Sequence, residues 1–288
     1  MSIRAVIFDM DGVLIDTERH LFDCWQQAAA EAGYDLTKEQ LLGIRSLAAE
    51  FAIPHFRELM GERFDYQEIR RRRKELMSAY IETHGIDKKP CVDELLDYLQ
   101  SHGYKTAVAT ATDPERAEKY LRSIGIYEKF DRVVCATTVP HGKPMPDVYL
   151  YACEQIGEQP SDCMAIEDSD NGALSAHRAG CHVVMVPDLA GPMPETEEYL
   201  TGVASDLSQV IPVLEEMKQV SRRKVLLAVF LLAGMSIWTA CGTVEQKAEI
   251  SQKTAETEET DEGEQTEQKA GTEEQVEAPD LHAYDFTV

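Results

Sequence analysis

The chain has 288 residues, enough for one large domain with an insertion or for two modest domains, and its 43% apolar content is that of an ordinary soluble protein. A net charge of −24 argues against nucleic acid or an anionic lipid surface as the main partner. Seven cysteines at 24, 91, 135, 153, 163, 181 and 241 include no CxxC pair, which fits a reducing compartment rather than a disulfide framework or a zinc site.

Met1 leads into the β-branched and aromatic run Ile3–Phe8, so a strand is expected there and no N-terminal signal peptide. Residues 18–33 carry helical periodicity through Leu21, Trp25, Ala28, Ala29 and Ala32, with Gly33 as a stop. Residues 37–84 stay helical in pattern, and the basic run at 69–74 reads mainly as a solvated helix face. After Pro90, helices and strands alternate. Helices at 92–102, 114–124, 146–157 and 171–179 precede strands at 106–109, 132–135, 164–166 and 182–186, and a last helix is expected at 206–217. This alternation predicts an α/β fold with a doubly wound parallel sheet, into which an all-helical block is inserted after the first strand.

The chemistry concentrates at the predicted strand ends. Asp9-Met10-Asp11-Gly12 follows the first strand, and two carboxylates so spaced can both face the mouth of a parallel sheet, where ligands bind. One could attack phosphorus and the other shuttle the leaving-group proton. By itself the motif also has a plainer reading, an Asp-rich turn or a calcium loop. Thr110, with Ala111 after it, closes the second strand at a turn suited to a phosphate oxygen, although threonine also caps helices there. Lys143 sits between His141-Gly142 and two prolines, either as a surface lysine or as a counter-charge. Glu167-Asp168 ends the apolar run 164–166, where buried acids require a partner or a metal, and oxygen ligands of this kind suit Mg²⁺.

Together these residues resemble the four-motif signature of the haloacid dehalogenase (HAD) superfamily over roughly residues 1–216. The resemblance implies a Rossmann-like core at 1–16 and 90–216. The helical block at 17–89 resembles the C1 cap of the beta-phosphoglucomutase-like subgroup. By position, Asp9 matches the nucleophile, Asp11 the general acid/base, and Thr110, Ala111 and Lys143 the phosphate-binding group. Asp9, Asp11 through its backbone carbonyl, Glu167 and Asp168 match the Mg²⁺ site. Ser169 and Asn171 match supporting turn residues. Thr17, Glu18 and Arg45 are candidates to meet substrate from the cap side. The implied activity is a phosphatase for a small phosphorylated metabolite such as a sugar phosphate, through an aspartyl phosphate. The alternative is a mutase of the beta-phosphoglucomutase type, which Leu21 and Leu42 weaken because they stand where that pattern carries basic groups.

Residues 217–241 differ in kind. A basic start, an apolar stretch and small residues before Cys241 resemble a bacterial lipoprotein signal, with Cys241 the lipidation candidate. A short transmembrane helix is the other reading. Residues 242–288 are acidic and poor in large apolar groups, so disorder is expected. The expectation is a cytoplasmic catalytic core, membrane association through 225–240 and the tail outside. A third reading makes the chain a lipoprotein fragment fused to a HAD passenger, two reading frames joined at Met217.

Overall fold

The computed structural model describes residues 2–223. The apolar stretch 225–240, Cys241 and the acidic segment 242–288 lie outside these residues. Among the described residues, no helix is long and apolar enough to cross a membrane.

Six parallel strands form one sheet: β1 (Ala5–Phe8), β2 (Lys105–Thr110), β3 (Arg132–Cys135), β4 (Cys163–Glu167), β5 (His182–Met185) and β6 (Gly202–Val203). Their order is β3-β2-β1-β4-β5-β6. β1 lies at the centre, with Phe8 in register with Val108 on one side and Ile166 on the other. Side chains alternate between the faces. Val6, Phe8, Val108, Ile166 and Val184 enter one buried cluster, and Ala5, Ile7, Ala107, Ala165 and Val183 enter the other. Burial on both faces explains why the strands read as continuous apolar runs.

The inserted helices are α1 (Glu18–Glu31), α2 (Lys38–Leu42), α3 (Ala49–Met60) and α4 (Tyr66–His84). They close around their own aromatic core, in which Trp25 lies 5.6 Å from Tyr66 and Phe56 lies 4.9 Å from Phe64, ring to ring. The two connections to the sheet run side by side. Asp16 N–H donates to Asp87 and Lys89 N–H to Leu14. Lys89 then ties them to the loop after β5, 2.6 Å from Asp188 and 3.4 Å from Asp16.

Helices α5 (Val92–Ser101), α6 (Pro114–Ser123), α7 (Asp147–Ile156), α8 (Asp170–Arg178) and α9 (Pro194–Glu197) follow. The predicted last helix begins as a 3-10 turn at Leu207–Gln209 and continues as α10 over 210–223, past the end expected at 217. Val210 and Leu214 bury it against the sheet. β6 and α9 were not anticipated. Two residues are too few to display strand alternation, and four are too few to display helical periodicity.

Candidate active site

The sheet order reverses between β1 and β4, which is where an open parallel sheet leaves a crevice at its strand ends. Asp9 leaves β1 and Glu167-Asp168 closes β4, so this topology alone brings the three carboxylates together. Oxygens of Asp9, Glu167 and Asp168 lie within 4.8 Å of one another, and all three residues are buried. Lys143, from the segment between β3 and α7, is wholly buried and places Nζ 2.5 Å from Asp9 Oδ1 and 2.6 Å from Glu167 Oε1. The Tyr149 hydroxyl, on α7, donates to the same Glu167 oxygen at 2.5 Å. Burial pushes the Asp9 carboxyl well up despite the pull of Lys143. Burial alone would lower Lys143, but the carboxylates of Asp9 and Glu167 outweigh it and hold the ammonium above its ordinary value.

Two glycines make room for these carboxylates. Gly12 has φ +81°, and a Cβ there would overlap the Asp168 carboxylate and touch Glu18. A Cβ on Gly172, at the start of α8, would overlap the Glu167 carboxylate. Glu167 Oε2 is buried with no hydrogen-bond partner.

Asp11 is not one of this trio. Its Oδ1 accepts from the Thr17 hydroxyl at 2.7 Å and its Oδ2 from the Thr112 hydroxyl at 2.9 Å. The Thr110 hydroxyl accepts from Thr112 N–H at 3.0 Å and so shapes the turn that delivers Thr112. Asp9, Asp11, Ala111 and Thr112 line a cavity of about 110 Å³ whose remaining wall includes residues of α1, α2 and α4. Glu18 and Arg45, expected on the substrate side, also line it. Burial, then the charge of Asp11, raises Glu18 to about 7 against the opposing pull of Arg45. Arg45 also reaches across to Asp168, Nη1 to Oδ2 3.2 Å.

The loop carrying Arg45 is pinned to the sheet ends. Asn171 Nδ2 donates to the carbonyls of Gly43 and Arg45, at 3.0 and 2.9 Å. Ala48 N–H donates to the Lys143 carbonyl, and Gly142 N–H to Glu50. Ser169 caps α8 by accepting from Gly172 N–H.

Four site residues escape the motif reading: Thr112, Tyr149, Arg70 and Arg73. The basic run 69–74 is only half a solvated face. Arg71 and Arg72 pair outside with Glu68, Glu75 and Glu31, whereas Arg70 and Arg73 line the cavity. The available signal was their spacing: Tyr66, Arg70, Arg73 and Met77 fall on one helical stripe.

A profile of haloacid dehalogenase-like hydrolases matches residues 3–180. The phosphorylated carbohydrates phosphatase of Thermotoga maritima is 31% identical over 179 residues, 62% of this chain and 82% of its own length. Beta-phosphoglucomutase of Bacillus subtilis is 28% identical over 190 residues, 64% and 83% of the two chains. A hydrolase of Pseudomonas syringae shares the fold with a TM-score of 0.66 at 24% identity, covering 74% of this chain and 98% of its own. With its acidic strand ends gathered around a buried lysine, this chain belongs to the haloacid dehalogenase-like hydrolases.

Proposed function

We propose that the protein is a Mg²⁺-dependent phosphatase for a small phosphorylated metabolite, acting through an aspartyl phosphate on Asp9. The observation that carries this reading is the ordering of charge: a buried nucleophile paired with Lys143, and a second carboxylate two residues on, turned to the cavity side. Attack of an Asp9 oxygen on phosphorus forms the acyl phosphate as the bond to the substrate oxygen breaks. Asp11 donates its proton to that departing oxygen. Asp11 then takes a proton from water, whose oxygen attacks phosphorus and frees Asp9 and inorganic phosphate. The Thr17 and Thr112 hydroxyls can turn from donor to acceptor, so the same two contacts hold Asp11 in both protonation states. Lys143 pulls the nucleophile toward its ionised form against the effect of burial, and offsets phosphoryl charge. Thr110 sets the turn that offers Ala111 and Thr112 to the phosphate.

The donor set fits Mg²⁺, a hard cation that takes oxygen ligands, and the unpartnered Glu167 Oε2 is a buried acceptor of that class. Asp9, Asp168 and the Asp11 carbonyl would hold the ion with Glu167 beside it, and it would screen repulsion between the phosphoryl group and Asp9. In this reading the α1–α4 block is the cap. It walls the cavity through Glu18 and Leu21 while Arg45 secures it to Asp168.

Hydrolysis is favoured over phosphoryl return to a sugar. Leu21, not a histidine, lines the cavity. His20 is engaged by Tyr80, Nε2 to OH 3.0 Å with the rings stacked at 4.1 Å. Incubation with beta-glucose 1-phosphate and a trace of the bisphosphate should release inorganic phosphate. Glucose 6-phosphate formed without phosphate release would overturn the phosphatase assignment in favour of a mutase.

A further inference from the structure

We infer that the substrate carries a second anionic group, a carboxylate or another phosphate, received by Arg70 and Arg73 on the α4 wall of the cavity. The inference rests on the phosphatase reading and narrows its substrate class.

Four arginines line the cavity: Arg45, Arg70, Arg73 and Arg116. Arg45 is held by Asp168 and Arg116 by Asp113, at 3.2 and 2.8 Å. Among the described residues, Arg70 and Arg73 form no ion pair, although the chain carries 52 acidic residues. The neighbouring Arg71 and Arg72 both find glutamates, so acidic partners are not scarce along this helix. The difference is one of face. A run of four arginines spans about 300° of the helix, and its first and last members fall on the inward stripe with Tyr66 and Met77.

Arg73 is positioned rather than loose. Its guanidinium lies 5.1 Å from the centroid of the Trp25 ring, and its Nε is shielded with no hydrogen-bond partner. A sheltered donor without an acceptor costs free energy, which a bound oxyanion would recover. The protein's own acids do not fill the role. Asp9 is taken by Lys143, and Asp11 by two threonines. Among the described residues Glu18 forms no ion pair, and burial with the charge of Asp11 outweighs the pull of Arg45 and Arg73 on it. Burial, followed by repulsion from Arg70 and Arg116, pulls Arg73 down to about 10. This is a pocket wall with uncompensated positive charge in an acidic chain.

Guanidinium groups match the two-oxygen edge of a carboxylate or phosphate with parallel N–H donors. A phosphomonoester with a neutral tail would leave these donors unpaired, and such mismatches give large discrimination. The fit is to a phosphorylated acid or a bisphosphate, with hydrolysis at the end that meets Asp9.

The test uses the full chain and matched sets of two, three and six carbons: ethylene glycol phosphate with phosphoglycolate, glycerol 3-phosphate with 3-phosphoglycerate, and glucose 6-phosphate with 6-phosphogluconate and glucose 1,6-bisphosphate. In at least one set kcat/KM should favour an anionic tail by roughly tenfold or more, the effect of one charge-assisted contact. Which tail wins separates carboxylate from phosphate. Arg70→Gln and Arg73→Gln should each cut that ratio severalfold or more, while Arg73→Lys should retain part of it. Should Arg73→Gln fail to fold, Arg70→Gln and Arg73→Lys carry the same comparison. Calorimetric titration of the same compounds into the Asp9→Asn chain, with and without Arg70→Gln, reads the subsite without turnover. Arginine-dependent preference for an anionic tail in that titration, with no hydrolysis of any compound by the unmodified chain, would keep the subsite and remove the phosphatase reading. Hydrolysis with no anionic preference in any set, or a preference that survives both arginine replacements, would remove the subsite and leave the phosphatase reading standing.

Discussion

Replacing Gly172 by alanine sets two physical effects against each other. Gly172 is the third residue of α8 and is not among the glycines with positive φ, so its backbone does not require glycine. Helix propensity alone would make the change stabilising by up to about 1 kcal/mol. Packing argues the opposite. The new Cβ would overlap the Glu167 carboxylate, which is fully buried and cannot swing aside. Its Oε1 is fixed by Lys143 at 2.6 Å and Tyr149 at 2.5 Å. Either the crowding is absorbed at about 1–3 kcal/mol, or one charge-assisted bond is given up at roughly 1.5–3 kcal/mol. After the propensity gain, a net loss of about 1–2 kcal/mol remains. For a domain of this size that lowers Tm by roughly 2–8 °C. Thermal unfolding followed by circular dichroism reads the shift, and Gly191→Ala is the control, since nothing lies within 4 Å of a Cβ there. On the proposed Mg²⁺ site, adding Mg²⁺ should raise Tm, and that rise should shrink in Gly172→Ala because Glu167 belongs to the acidic trio. A variant as stable as the parent, or more stable, would refute the claim that Glu167 is held rigidly against α8.

Asp9→Asn should lower turnover to under about a tenth with the fold intact, since an amide is a poor nucleophile and covalent catalysis supplies several kcal/mol. A phosphate-release assay on the folded variant decides it. Asp11→Asn should slow alkyl phosphates more than aryl phosphates, whose leaving groups need less protonation, so equal losses across such a series would count against Asp11 as the acid. Glu18 sits at about 7 in the folded chain against an ordinary 4.5. Between those pH values the folded state keeps a proton the unfolded state has lost, so this contribution to stability is complete below about 4.5 and fades as pH rises through about 7. Glu18→Gln should therefore flatten the fall in urea midpoint between pH 4.5 and 8, measured with a metal chelator present. An unchanged slope would assign the pH dependence to other groups.

Much of the fold and the motif residues could be read because their physics is local. A buried parallel strand announces itself by an unbroken apolar run, so charged or hydroxyl residues at its end stand out: Asp9 after Phe8, Thr110 after Ala109, Glu167 after Ile166. The sheet then supplies the gathering, since the three strands that carry them are neighbours. What could not be read depends on side chains meeting across long separations. Thr112 matters through Asp11, 101 residues away, and Tyr149 through Glu167 across an intervening loop and strand. Neither contact leaves a periodic trace. His20 is an intermediate case. Its place one residue from Leu21 implied another helix face, and its stacking on Tyr80 is where that rotation leads.

The arginines of α4 show why a charge run misleads when it is read as a unit. Four consecutive residues on a helix span about 300°, so no such run can lie on one face. Which members turn inward is set by the apolar positions around them. Tyr66, Ile69, Met77 and Ile81 are the buried side chains of α4. They define a stripe that passes through 70 and 73 and leaves 71 and 72 outside. A packing requirement would fill those two inward positions with apolar groups, as it does at 69 and 77. Arginine there adds a desolvation cost, in keeping with the lowered Arg73, and no ion pair among the described residues offsets it. Lys143 is buried more completely but is repaid by Asp9 and Glu167, so its shift runs the other way. These cations thus divide by what neutralises them: the lysine by the protein itself, and the two arginines by the group the substrate brings.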